Sequence, residues 1–449
     1  MERLLALHRT YNAIRAALPW LDCYVCDWPC AFADGNVKLP TPARQLDFTT
    51  TNPRLVRQTE HSFEEIEAMA VAHPEISYII ASGDRKMLYH FAALETVLKK
   101  HANLYLATTN VCNEFALERL IAAGLKDKLL YGSMMPFLGA GNTLAQIILG
   151  KFDWQTKCAI AGNNFRRLLG EPEVSVPEIK IPDIRPFLVD SHAHTLNAGG
   201  ACRFPPYKAD SIWSLWQEKM DPLWVEDIFI TPSEPLHNVM QATAQSVITP
   251  MCREAKGRVR YYEVFDPLHI QESVAALEQS LPDPYCIGIK IHPSVCQVYA
   301  SDPRYDQAFA LASRFGKCIM SHTWGISDYN PTQKFATPKL FAPHLEKYPG
   351  VKFVIGHCGG RPNGLPEAVE ICRRFPQVHC DFAGDIFFNG HVEHAISDIG
   401  PDRLLFASDS YWIDQRCMLG MFLETELTDA QLWGVFRENA LKFFAPAPL

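Results

Sequence analysis

The second half of the chain alternates short apolar, β-rich runs with segments of helical period. The β-rich runs are FLVDSHAH from Phe187, WVEDIFIT from Trp224, RVRYYEVF from Arg258, CIGIKIHP from Cys286, KCIMSHT from Lys317, VKFVIGH from Val351, VHCDFAG from Val378 and RLLFASD from Arg403. Between them lie helix-like segments such as YDQAFALASRF, LPEAVEICRRF and DAQLWGVFRENALKFF. Apolar strands that alternate with helices imply a parallel sheet covered by helices. Eight such units in roughly 260 residues predict a closed (β/α)8 TIM barrel. A doubly wound open sheet is the alternative, but it gives no reason for ligand-type residues at the ends of strands one, five, six and eight.

Ahead of this region, EPEVSVPEIKIPDIRPF (residues 171–187) carries four prolines and no helical period. Proline fixes φ and lacks the amide donor, so an extended linker is expected. The chain therefore divides into residues 1–170, a Pro-rich linker over 171–186 and a barrel domain over 187–449. The opening MERLLALHRTYNAIRAALPW reads as an amphipathic helix without the features of a signal peptide.

Residues 1–170 repeat the last part of the barrel. Met134 stands 275 positions before Asp409, and at that offset Pro74 matches Pro349, Ile80 matches Ile355 and Glu95 matches Glu370. Asp127, Leu129, Leu130 and Ser133 match Asp402, Leu404, Leu405 and Ser408; Leu144 matches Leu419, and Asn164 matches Asn439. One offset held over so long a stretch points to a repeat. The N-terminal region is thus expected to be a degenerate half-barrel, running from the helix before strand five to the helix after strand eight, with strand one and its histidines absent. Its chemistry is lost, since Ser82 stands at the position of His357 and Met134 at that of Asp409. Packing on the true barrel, covering its mouth and forming a subunit interface are the roles open to it.

The formal net charge of −8 gives no basic surface for nucleic acid. The charge-free stretch from Leu129 to Gly150 is long enough to span a membrane, but its Pro136, Gly139, Gly141, Asn142 and Gln146 suit a strand, a turn and a helix. The 14 cysteines are scattered, as expected of reduced thiols in a cytoplasmic protein. Cys23, Cys26 and Cys30 have part of the spacing of a zinc knuckle without its second cluster.

The chemistry gathers at predicted strand ends. His192 and His194 end strand one at i and i+2, so both imidazoles face one side. His322 follows CIMS on strand five, and Asp409 follows LLFAS on strand eight. Three imidazoles and a carboxylate form a donor set suited to zinc, manganese or iron. His357, in VIGHCGG, is the candidate acid–base residue, with a second-shell hydrogen-bonding role as its alternative. Lys290 in GIKIHP is a candidate either for carboxylation, bridging two metals, or for holding a substrate carboxylate; a structural salt bridge is equally open. Arg361 is a candidate carboxylate clamp, and Trp324 and Tyr411 are candidate pocket walls.

The set DSHAH, MSHTW, VIGHCGG and LLFASDSYW resembles the amidohydrolase superfamily, in particular the branch that includes aminocarboxymuconate semialdehyde decarboxylase. The resemblance spans residues 185–446, and residues 20–170 as a degenerate copy. It implies that His192, His194, His322 and Asp409 hold one divalent ion, usually zinc, or two if Lys290 is carboxylated. It also implies that His357 activates water or substrate and that Asp409 takes a proton from the nucleophilic water. The expected activity is metal-dependent hydrolysis of a lactone, ester or amide of a small molecule. Non-oxidative decarboxylation on the same scaffold is the alternative, and a non-catalytic barrel scaffold is the third reading. The expected partner is the small-molecule substrate, with no nucleic acid and no membrane; a homodimer is also admitted. The segment LNAGGACRFPPYKADSIWSLWQEKMDPLW after strand one is expected to cap the site.

Overall fold

The computed structural model describes residues 1–24, 44–47, 61–81, 90–194, 212–231, 244–327, 330–410 and 412–445. Two parallel sheets organise them. The first, of four strands, runs in order through β1 (Arg44–Asp47), β2 (Tyr78–Ala81), β3 (Leu104–Ala107) and β4 (Leu129–Leu130). The second, of eight, runs in order through β5 (Leu188–His194), β6 (Val225–Thr231), β7 (Val259–Val264), β8 (Cys286–Ile291), β9 (Cys318–His322), β10 (Phe353–Gly356), β11 (Val378–Asp381) and β12 (Leu404–Leu405). All eight expected runs form strands in one parallel sheet.

Its edges meet: Ser191 N–H donates to Phe406 O at 3.0 Å and Ala193 bridges Ser410. The result is a TIM barrel. Its strands are buried on both faces, as Val189, Phe229, Tyr262, Met320, Val354 and Leu405 fill one end of the interior. Residues 171–187 form neither helix nor strand. Leu129–Gly150 resolves into β4, a turn and the buried helix Gly141–Ile148. Among the described residues no helix is long and apolar enough to cross a membrane.

The repeat is visible in register as well as in sequence. Arg44 pairs with Tyr78 as Ile319 pairs with Phe353, and Leu106 with Leu129 as Asp381 with Leu404, all at the 275-residue offset. Both copies carry a π-helical turn at matching positions, Ala159–Asn163 and Gly434–Glu438. After each turn an asparagine amide satisfies two carbonyls at the start of the last strand. Asn164 donates to Lys126 O and Leu129 O at 2.8 and 2.9 Å, and Asn439 to Pro401 O and Leu404 O at the same distances.

One expectation is corrected. Strand one is not missing from the N-terminal copy, because Leu21–Tyr24 takes its place. Cys23 N–H donates to Tyr131 O at 2.9 Å as Ser191 does to Phe406, and Met134 N–H donates to Tyr24 O at 2.7 Å as Asp409 does to His192 O at 2.9 Å. Asp22 accepts from the Ser133 amide and hydroxyl as Asp190 accepts from those of Ser408. This match runs at a spacing of 168 positions rather than 275, so one gap-free offset could not reveal it. Tyr24 therefore stands where His192 stands, a phenol in place of an imidazole. Cys23 is buried, and burial holds its thiol well above the usual range; Cys26, Cys30 and Ser82 lie outside the described residues.

Candidate metal centre

Each side chain of the site is presented at the C-terminal end of a barrel strand. His192 is fully buried on β5, with Nδ1 3.0 Å from Asp381 Oδ2 and Nε2 2.9 Å from Lys290 Nζ. A buried carboxylate at Nδ1 fixes the proton there and leaves the Nε2 lone pair facing Lys290 Nζ. Burial, reinforced by the Lys290 charge, pushes the imidazole down to about 3, so it is neutral, the form a metal needs. Asp381, at the end of β11, also accepts from the His357 amide at 2.7 Å and the Ala383 amide at 3.1 Å. Burial alone would raise this carboxyl, but His192 and His357 outweigh it and hold it below the ordinary carboxylate range.

Asp409 follows β12 with φ of +64°, a left-handed conformation costly for a residue with a Cβ. Its amide is tied to His192 O, and its Oδ1 lies 2.7 Å from His194 Nε2 and 3.9 Å from His192 Nε2. Met134 keeps the same left-handed backbone at +57° without a carboxylate. Burial would raise the Asp409 carboxyl, but His194 beside it holds it well below the usual range. His192, His194 and Asp409 each offer one ligand atom within 4.8 Å of the others, and His192, His357 and Asp381 form a second such group. Two imidazoles and a carboxylate converging on one point suit a small divalent ion. The Lys290 ammonium occupies the lone-pair direction of His192, so a positive charge already stands where a cation would go.

His322 belongs to neither group. Its Nε2 lies 2.9 Å from Gln333 Oε1, its face stacks on His292 at 4.1 Å and 13°, and its edge meets His357 at 4.7 Å. Burial holds both well below the ordinary imidazole range, helped by the neighbouring His292 for His322 and by the Lys290 charge for His292. Trp324 lies parallel to His322 at 5.9 Å and 3°, so three rings share one orientation. His357 hangs on a left-handed backbone of +60°, with Nδ1 2.9 Å from Ala383 O, which assigns its proton to Nδ1. Gly384 permits this approach, because a Cβ there would sit 2.9 Å from His357 Nδ1. Lys290 is buried on β8, and burial pushes its ammonium down to about 8. Arg361 places its guanidinium 5.8 Å from the Phe388 ring centre, at the seam with the N-terminal copy. Tyr411 lies outside the described residues, as do residues 196–211 of the expected cap.

Sequence reasoning passed over Asp381, His292 and Gln333. Asp381 ends an apolar strand as Asp409 follows one, so the rule that singled out Asp409 would have found it. Gln333 lies in a short helix after β9 and gives no signal of its own.

A parallel eight-stranded barrel with histidines and aspartates converging at its C-terminal mouth defines the class of metal-dependent TIM-barrel enzymes. Residues 189–445, more than half of the chain, match the family model described as Amidohydrolase, and the chain belongs to the amidohydrolase family. No curated protein matches it in sequence. Solved structures with a similar barrel include 2,6-dihydroxybenzoate decarboxylase complexed with 2,6-dihydroxybenzoate, at 17% identity over 51% of this chain and 86% of that one, TM-score 0.43. A 5-carboxyvanillate decarboxylase from Sphingomonas paucimobilis follows at 14% identity, 51% and 81% coverage and TM-score 0.43. A dihydroxybenzoic acid decarboxylase from Polaromonas sp. JS666 with bound manganese and 2-nitroresorcinol stands at 15% identity, 58% and 97% coverage and TM-score 0.44.

Proposed function

We propose that the protein is a metal-dependent lyase removing the carboxyl group of a small, flat carboxylic acid without oxidation. The observation that carries this reading is the array of parallel rings, His292, His322 and Trp324, beside the buried Lys290. Parallel aromatic faces favour a planar substrate, and a buried ammonium favours an anionic one. His192, His194 and Asp409 would hold the ion once the Lys290 ammonium gives up His192 Nε2, zinc favoured over manganese for its nitrogen-rich donors; bound there, it would supply Lewis-acid polarisation of substrate oxygens. His322 stays a candidate further ligand, which requires Gln333 to release its ring. Lys290 orients the carboxylate, and a two-ion site requires its carboxylation. Arg361 clamps the same group if it swings off Phe388. With its proton on Nδ1, His357 has a basic Nε2 that takes a proton from solvent and delivers it to the carbon that loses CO2.

Hydrolysis of a lactone, ester or amide is the second reading, favoured by the placement of Asp409 beside His194, where it could accept a proton from an attacking water. The two reactions are separated by isotope. Aromatic carboxylic acids incubated in D2O should lose CO2 and gain one deuterium at the vacated carbon. Turnover of lactones or amides with 18O from water in the product, and no CO2 from any acid, would reverse the order of the two readings.

A further inference from the structure

The contacts between the two copies come in symmetry-related pairs. Asn113 bridges Ile413 and Leu138 bridges Phe388, both antiparallel; adding the 275-residue offset to Asn113 gives Phe388, and removing it from Ile413 gives Leu138. Likewise Gly139 N–H donates to Phe387 O at 2.8 Å and Asp414 N–H donates to Cys112 O at 2.9 Å, the same bond seen from either side. The helices Gly141–Ile148 and Gln415–Leu423 are each other's counterparts and pack directly together. They approach so closely that a Cβ on Gly420 would collide with the Gly141 carbonyl oxygen. Reciprocal contacts of this kind define a two-fold, isologous interface.

The symmetry breaks on the side of the barrel's metal group. Glu114, buried, accepts from Ser410 Oγ at 2.7 Å; the counterpart positions hold Asn389 and Met135. Ser410 follows Asp409 in sequence, accepts from the His194 amide, and donates its own amide to Ser408 Oγ at 2.8 Å. Arg416, fully buried, is gripped by Asp414 of its own copy and by Glu118 of the other at 2.5 and 3.0 Å. Its counterpart is Gly141, so this grip exists once. Among these paired contacts, the charged ones, Glu114 with Ser410 and Arg416 with Glu118, lie on one side of the seam.

We infer that the N-terminal copy is a built-in second subunit: it occupies the two-fold face of the barrel, leaving the chain monomeric, and its Glu114 is a positioning residue that fixes Ser410 between Asp409 and His194. A carboxylate holding the Ser410 hydroxyl locks that residue's rotamer, and with it the two backbone segments that carry the ligands. The Glu114 part rests on the metal group proposed above; the monomer part does not.

The test uses the full-length chain. Sedimentation velocity should give one species at the 50.6 kDa monomer mass from sub-micromolar to high micromolar concentration. A concentration-dependent dimer would overturn the built-in subunit. Zinc affinity, measured by competition with a chromophoric chelator, should fall about tenfold in Glu114→Gln. Glu118→Gln, which weakens the same interface away from Ser410, should lower thermal stability but leave zinc affinity unchanged. Equal losses of affinity in both variants, or none in Glu114→Gln, would overturn the positioning role. Failure of the unmodified protein to bind zinc would count against the metal group and leave the mass result standing.

Discussion

At the scale of single residues, the site depends on how buried groups settle one another's protons. Asp381 holds the His192 proton on Nδ1, and everything that follows needs Nε2 unprotonated. Asp381→Asn keeps the volume but loses the anion, so divalent-metal affinity should fall roughly 10–100-fold. Isothermal titration would detect this, and far-UV circular dichroism should show the fold intact; unchanged affinity would mean the His192 tautomer is set elsewhere. Trp324→Ala removes one of the three parallel rings. It should raise KM for a flat acid about tenfold or more, with a smaller change in kcat, if ring stacking contributes about 1–1.5 kcal/mol beyond area burial. His192, His194, Lys290 and Asp409 could be picked out from sequence because a polar residue ending an apolar strand is conspicuous. Asp381 had the same signature, whereas His292 and Gln333 acquire meaning only from what they touch.

Among the elements, the barrel strands were the most legible, since apolar runs bounded by polar ends recur eight times. What no gap-free comparison could show was strand one of the N-terminal copy, because strands two to four have no counterpart among the described residues and the spacing changes. The three-dimensional match rests on Asp22 with Ser133 and Asp190 with Ser408, two carboxylates that hold the last strand to the first. The paired asparagines do similar work next to the π-turns. Asn439→Ala leaves Pro401 O and Leu404 O without their donor in a buried corner. Urea denaturation should register a loss of roughly 1–3 kcal/mol. Asn164→Ala should cost a like amount in the N-terminal copy, and a negligible effect of either would remove the asparagines from the account of the repeat.

For the whole molecule, two barrel-derived copies face each other across a two-fold seam, and one of them carries Tyr24 and Met134 where the other carries His192 and Asp409. The sequence repeat announced the second copy. Its placement against the barrel could not be read from sequence, because it depends on long-range pairs such as Asn113 with Ile413 and Arg416 with Glu118. An ion bound to the folded chain alone stabilises it in proportion to its saturation, about 2.7 kcal/mol at a hundredfold excess over Kd. Chelator treatment should therefore lower the melting temperature by roughly 3 °C, and restored zinc should return it. Scanning calorimetry would show both steps; no change on chelation would mean that the folded chain holds no tightly bound ion.

The central claim is that His192, His194 and Asp409 bind one divalent ion. Elemental mass spectrometry on protein purified without chelators tests it most directly, with Asp409→Ala alongside. About one zinc or manganese per chain is expected, lost in the variant while the fold persists. Metal absent from both, or retained undiminished after Asp409→Ala, would contradict it.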